Sequence, residues 1–311
     1  MTAGDMSSDE ARIDVSVVSA LVAAQFPEWA ELPVAPVGKP GVDNATYRLG
    51  DEMSVRLPRF ERWVGQVFRE HEWLPVLAPQ LPLAVSVPLA QGEPGEGYPF
   101  PWSVYKWLDG DAAGPEALTD SEESARELAA FVAAFQRVDP TGGPPPGWSN
   151  GFRGVPMGDD SDSPIVESRV RPKIAALDGL YDVAALTEVW EAALAAPAWD
   201  GPPVWIHGDP APGNILLQDG RFSAVIDFGT IAVGDPACDL IAAWNWFPTR
   251  QARDIYRADL KVDDATWTRG RGWGLVSTLP APADLAEDAD PARATQARRR
   301  LDALVEDCRR N

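Results

Sequence analysis

Residues 205–217 read WIHGDPAPGNILL and residues 225–229 read VIDFG. Within them lie Asp209, Asn214 and Asp227, three side chains that can offer oxygen to a proton or a hard cation. The segments Ile215–Gln218 and Arg221–Ile226 alternate around Asp219-Gly220, which predicts two strands joined by a two-residue turn. Counted outward from that turn, Gln218 faces Arg221, Leu216 faces Ser223 and Asn214 faces Val225, with Asp227 one diagonal step away on the face of Asn214. Diagonal neighbours lie about 7–8 Å apart, close enough for an amide oxygen and a carboxylate to share one cation. Asp209 sits on the loop entering the hairpin, near enough to serve as a base. Such a set suits phosphoryl transfer from a nucleotide, in which Mg²⁺ neutralises phosphate charge and a further Asp accepts a hydroxyl proton.

HGDPAPGN (207–214) and IDFG (226–229) resemble the catalytic loop and metal motif of the aminoglycoside phosphotransferase family, relatives of protein kinases in which His-Gly-Asp replaces His-Arg-Asp. The Asp-to-Asn spacing, 209 to 214, equals that of the kinase pattern H-R-D-L-x-x-x-N, and GDPACDL at 234–240 is similar to the next family motif. The resemblance implies Asp209 as catalytic base, Asn214 and Asp227 as Mg²⁺ ligands, ATP or GTP as phosphate donor, and Asp239 as a brace for the catalytic loop. His207 could ligate a metal. Without a second His nearby, the favoured reading is a structural role behind the loop. Pro210 and Pro212 stiffen the segment between Asp209 and Asn214.

In EMSVRLPR, Met53, Val55 and Leu57 share one strand face and leave Arg56 on the other, where kinase relatives carry a phosphate-binding lysine. Arginine keeps the charge and can grip oxygens with parallel bonds. On the following helix Trp63, Val67 and Leu74 form an apolar stripe that contains Glu70, whereas Glu72 points away, so Glu70 is the expected partner of Arg56. The stretch VGKPGVDNATYRLG is the expected phosphate-covering loop, although its glycines follow no strict spacing. Val104, Tyr105, Lys106 and Trp107 are the expected hinge, whose backbone could pair with a nucleobase.

These residues need a scaffold. A helix over Asp14–Gln25, strands on both sides of Gly50-Asp51, a helix over Glu61–Leu77 and strands over Ala84–Ala90 and Trp102–Trp107 precede a mostly helical remainder with one small inserted hairpin. The predicted fold class is α+β, bilobal and protein-kinase-like. A nucleotide-binding N-terminal lobe spans 1–103, a hinge 104–109, and a mainly helical catalytic and substrate-binding lobe 110–311.

Asp plus Glu number 47 against 27 Lys plus Arg, a net charge of −20 that disfavours nucleic acid and is read either as plain solubility or as a field suited to a cationic small-molecule substrate. The acidic, polar N-terminus and the lack of a long apolar run predict a cytoplasmic protein with no membrane contact, either a monomer or a homodimer. Cys238 and Cys308 are too few for a disulfide framework, so the Asn44-Ala-Thr sequon reads as chance. GWSNG at 147–151 matches the serine nucleophile elbow, but GGPPP precedes it where a strand is needed. Asp159, Asp160, Asp162 and Glu167 could receive substrate amino groups. The expected function is phosphorylation of an aminoglycoside hydroxyl. The alternatives are a kinase of a macrolide, choline-like or homoserine-like acceptor, and a nucleotide-binding regulator without catalysis.

Overall fold

The computed structural model describes residues 10–38, 41–157 and 164–310, with residues 164–167 in backbone only. The chain forms two compact units, one of Met1–Asp109 with Ile226–Gly229 and one of Gly110–Val225 with Thr230–Asn311.

The first unit holds α1 (Val15–Gln25), β1 (Val34–Pro36), β2 (Asn44–Leu49), β3 (Met53–Pro58), α2 (Val64–Leu77), β4 (Ala84–Val85), β5 (Pro88–Gly92) and β6 (Trp102–Lys106). Five of these strands form an antiparallel sheet in the order β1-β2-β3-β6-β5. Its alternation buries Val55 and Leu57 of β3 against Val18, Leu21 and Val22 of α1, together with Leu49, Trp102 and Val104. Asp14 starts α1 by accepting the backbone N–H groups of Ser16 and Val17. Arg56 lies on the opposite face of β3 from that core, opposite Ser103 of β6. Asn44 is buried with its amide donating to Gln66, in agreement with a chance sequon.

The second unit contains α3 (Ser121–Gln136), α4 (Pro164–Ala175), α5 (Val183–Ala195), β7 (Val204–Ile206), β8 (Ile215–Gln218), β9 (Arg221–Val225), β10 (Ala232–Gly234), α6 (Ala242–Trp246), α7 (Arg250–Leu260), α8 (Asp264–Thr278) and α9 (Pro291–Cys308). Its core is aromatic, with Phe135 stacked on Trp205 and Phe222 edge-on to Trp246. β7 pairs with β10, which places the start of HGD beside the strand that leads into GDPACDL. β8 and β9 make the expected hairpin with Gln218 opposite Arg221.

The counted register then fails. A β-bulge shifts the pairing, so Leu216 faces Ala224 and Ile215, not Asn214, faces Val225. Leu217 explains the shift: both its N–H and its C=O bond to Asp111, and the Ser223 hydroxyl donates to the Leu216 carbonyl. A third chain segment therefore takes the backbone groups that a regular hairpin would pair. Among the described residues, no helix is long and apolar enough to cross a membrane.

Candidate active site

In the first unit, Arg56 stands between two carboxylates. Its Nη1 donates to Glu70 Oε1 at 3.2 Å and its Nη2 to Asp227 Oδ1 at 2.5 Å. Burial alone would lower the Arg56 pKa, but Asp227 and Glu70 outweigh it and hold the guanidinium above its ordinary value. Glu70 is 1% exposed on α2. Burial raises its pKa and the negative charge of Asp227 adds to that, while Arg56 and the Tyr105 hydroxyl oppose it. The Tyr105 hydroxyl donates to Glu70 Oε2. The Tyr105 side chain thus fixes the acid that holds Arg56.

Asp227 has φ +64, in the left-handed region that a side-chain-bearing residue seldom adopts. Strand alternation does not deliver this carboxylate. A backbone reversal after Val225 does, within a segment that groups with the first unit. Nearby, the Arg69 guanidinium donates to the Gly229 carbonyl and Gln66 bridges Asn44 and Asp43.

Val104 and Tyr105 lie inside the sheet, paired with Val55 and Ser54 on one side and with Ala90 and Pro88 on the other. The Trp107 N–H donates to the Glu52 carbonyl at 2.7 Å, and its ring carries the Arg48 guanidinium at 3.8 Å. Strand alternation accordingly turns the amide of Lys106, an exposed residue, away from β3. The expected hinge thus divides into sheet interior at 104–105 and strand end at 106–107.

In the second unit, His207, Gly208 and Asp209 follow β7. The buried carboxylate of Asp239 accepts the N–H of His207 at 2.8 Å and that of Gly208 at 2.7 Å. Burial raises the Asp239 pKa, opposed by His207 and by those two backbone donors. His207 Nδ1 accepts the Asp209 N–H at 3.2 Å, so the ring supports the loop from behind. Gly208 has φ +85, and a Cβ there would lie 2.9 Å from Arg153 Cδ and 3.0 Å from the Thr230 carbonyl oxygen, so only glycine fits.

Asn214 Nδ2 donates to the Asp209 carbonyl at 3.0 Å and to Asp209 Oδ2 at 3.2 Å. Both bonds use the nitrogen, which turns Oδ1 away from Asp209. The five-residue spacing closes because the Ala211 N–H bonds to the Asp209 carbonyl and the Asn214 N–H to the Ala211 carbonyl. Trp246 Nε1 donates to the Pro210 carbonyl at 3.2 Å and anchors the turn.

The brace is itself braced. Asp235 caps the turn Pro236–Ile241 through the Ala237 N–H, and buried Arg269 of α8 grips Asp235 with Nε at 2.8 Å and Nη2 at 3.3 Å. Gly270 permits this approach, since a Cβ there would sit 2.7 Å from Leu240 Cβ. Sequence reasoning found Asp239 through its motif but missed Arg269, Arg153 and Thr230, which carry no local pattern. Asp159, Asp160 and Asp162 lie outside the described residues. Glu167 falls in α4, with its side chain outside them.

No curated protein matches the chain in sequence. Among solved structures, the chain is similar to a GDP complex of aminoglycoside 2'-phosphotransferase-IIIa, with 18% identity, TM-score 0.65, and coverage of 95% of this chain and 99% of that one. A GDP and kanamycin complex of APH(2")-IIIa gives 19% identity and TM-score 0.61 over 94% and 99% of the two chains. Macrolide 2'-phosphotransferase MphH from Brachybacterium faecium gives 22% identity and TM-score 0.57 over 93% and 97%. These likenesses establish the α+β, kinase-like fold. The profile of the phosphotransferase enzyme family matches residues 36–273. Matched over most of its length, the chain belongs to the phosphotransferase enzyme family and is a phosphotransferase.

Proposed function

We propose that the protein is an ATP- or GTP-dependent O-phosphotransferase of the cytoplasm that phosphorylates a hydroxyl of an aminoglycoside, with an N-terminal lobe at 1–103, a hinge at 104–109 and a catalytic lobe at 110–311. The observation that carries the reading is the bond from Asn214 Nδ2 to Asp209 Oδ2, which orients the carboxylate and the amide together. Asp209 accepts the proton of the attacking hydroxyl, and the brace from Asp239 holds the loop that presents it. Asn214 and Asp227 would hold Mg²⁺, since an amide carbonyl oxygen and a carboxylate are a donor set that a hard divalent cation selects, and the ion would there supply neutralisation of donor phosphate charge. Arg56, fixed by Glu70, contacts donor phosphate, and the backbone at Lys106 and Trp107 meets the nucleobase. Solved relatives with nucleotide in their complexes, GDP and ATP among them, support the donor class, and kanamycin and streptomycin complexes support the acceptor class.

Similarity to a macrolide 2'-phosphotransferase favours a second acceptor, a macrolide hydroxyl. Calorimetric titration of the full chain with Mg·ATP and Mg·GTP, followed by a coupled nucleotide-consumption assay over aminoglycosides, macrolides, choline and homoserine, tests these readings. Binding of neither nucleotide by folded protein removes the kinase reading. Turnover of a macrolide alone moves the acceptor. Asp209→Asn should lose about 10²–10⁴ in turnover, the range of a positioned base, while still binding nucleotide. Full activity in Asp209→Asn would transfer the role of base elsewhere.

A further inference from the structure

One buried side chain closes the loop from Gly147 to Gly154. Asn150, 1% exposed, accepts the Gly147 N–H through Oδ1 at 3.0 Å. Its Nδ2 donates to the Arg153 carbonyl at 2.8 Å and to the Thr230 carbonyl at 3.3 Å. The Thr230 hydroxyl in turn donates to the His207 carbonyl at 2.8 Å. Arg153 lays its Cδ in the space beside Gly208 that a side chain there would occupy. The loop is therefore fastened to the segment carrying Asp209 at two points, both within two residues of that carboxylate.

Its backbone is held out of the ordinary regions, with φ +66 at Gly151, +63 at Phe152 and +84 at Gly154. Phe152 bears a side chain, and such a conformation persists only when the surroundings fix it. The construction displays an aromatic face. Trp148 is 76% exposed, the most exposed of the large apolar side chains described, and its ring meets Phe152 edge-on at a centroid distance of 5.0 Å. Trp148 thus stands in solvent on a loop that Asn150 and Thr230 fasten to the segment carrying Asp209, whereas Trp190, Trp205 and Trp246 are fully buried.

We propose that Trp148, backed by Phe152, is a docking platform for the phosphate acceptor and that it takes the face of a sugar ring bearing an ammonium group. A sugar ring offers an apolar C–H face that stacks on an indole, and an ammonium is attracted by the indole ring more strongly than by any other aromatic side chain. The net charge of −20 favours such a cation, and Arg153 spends Nη1 on the Asn150 carbonyl at 3.0 Å. The inference rests on the phosphotransfer reading for the identity of Asp209 as the reacting centre. It adds the part of the acceptor that is recognised.

Wild type, Trp148→Ala and Trp148→Phe full-length proteins are titrated with kanamycin and with erythromycin by calorimetry, and acceptor and nucleotide KM are measured for each probe that is turned over. Trp148→Ala should weaken binding of at least one probe, and raise its KM, roughly threefold to thirtyfold, the range that cation–π contacts span. Trp148→Phe should fall between, with nucleotide KM within about twofold of wild type throughout. Equal probe affinities in all three proteins overturn the platform. So does a change confined to self-association in sedimentation, or failure of wild type to bind either probe. Nucleotide titration judges the phosphotransfer reading separately, so the two can fail independently.

Discussion

Arg56 is the cation that β3 turns away from the core, and its neighbours show what an arginine does at that position. One guanidinium edge reaches Glu70 and Asp227 together, through Nη1 and Nη2, a fork that a lysine ammonium cannot reproduce. The pairing also opposes protonation of a buried acid: burial and Asp227 push the Glu70 pKa up, while Arg56 and the Tyr105 hydroxyl pull against them. Removing the cation leaves Glu70 buried without it, a change that costs roughly 3–5 kcal/mol in comparable pairs. Arg56→Ala should lower the melting temperature, raise nucleotide KM and reduce turnover. Arg56→Lys should keep part of the activity, since charge survives but the fork does not. Steady-state kinetics with both variants checks this, and an unchanged nucleotide KM in Arg56→Ala would release Arg56 from the donor site. Arg48 and Arg59 are poor substitutes, since one stacks on Trp107 and the other is bound to Glu10 and the Gly41 carbonyl.

At the scale of elements, local pattern was legible and long-range bonding was not. The apolar stripe of α2 singled out Glu70, and the alternation of β3 put Arg56 on the face away from the core, because both follow from periodicity alone. The β8–β9 turn was likewise readable from Asp219-Gly220. The bulge beyond it depends on Asp111, over a hundred residues away, whose bonds to Leu217 have no local signature. The same holds for the 3₁₀ turn Pro236–Ile241, whose motif named Asp239 while its clamp, Arg269, lies on α8.

That turn carries the next prediction. Replacing Asp239 by Asn presents an NH₂ to one of two buried backbone N–H groups, leaving a donor without an acceptor at about 1–3 kcal/mol. Turnover should fall with nucleotide KM little changed, because the loop bearing Asp209 loosens. The pH dependence has a definite sign. Burial raises the Asp239 pKa above its unfolded value, so the native state binds the proton more tightly, and that contribution to stability is lost as pH rises from about 4 through the raised value. Denaturant unfolding of wild type and Asp239→Asn across that window should show the wild type losing its advantage as pH increases. A parallel pH dependence in the two proteins would assign the titration to another carboxylate.

For the whole molecule, 47 acidic against 27 basic residues set a field of one sign. Several of the acids do local work as helix caps, Asp14, Asp120, Asp263 and Asp290 among them, but each still contributes its charge at a distance. In the proposed reading the enzyme moves a phosphoryl group from an anionic nucleotide, released with one phosphate fewer, to a polycationic acceptor. The field therefore acts on the two substrates in opposite senses, drawing in the acceptor and repelling the donor. Added salt shortens the Debye length to about 10 Å at 0.1 M and about 3 Å at 1 M, which removes both effects. Acceptor KM for an aminoglycoside should then rise with ionic strength, while KM for the Mg²⁺ nucleotide stays level or falls. A macrolide or other acceptor of low charge should show little change in either direction. Kinetics at constant pH and free Mg²⁺ across a potassium chloride series separates the cases. If both KM values rise together, the long-range field plays no part in selecting the acceptor, and specificity rests on contacts beside Asp209 alone.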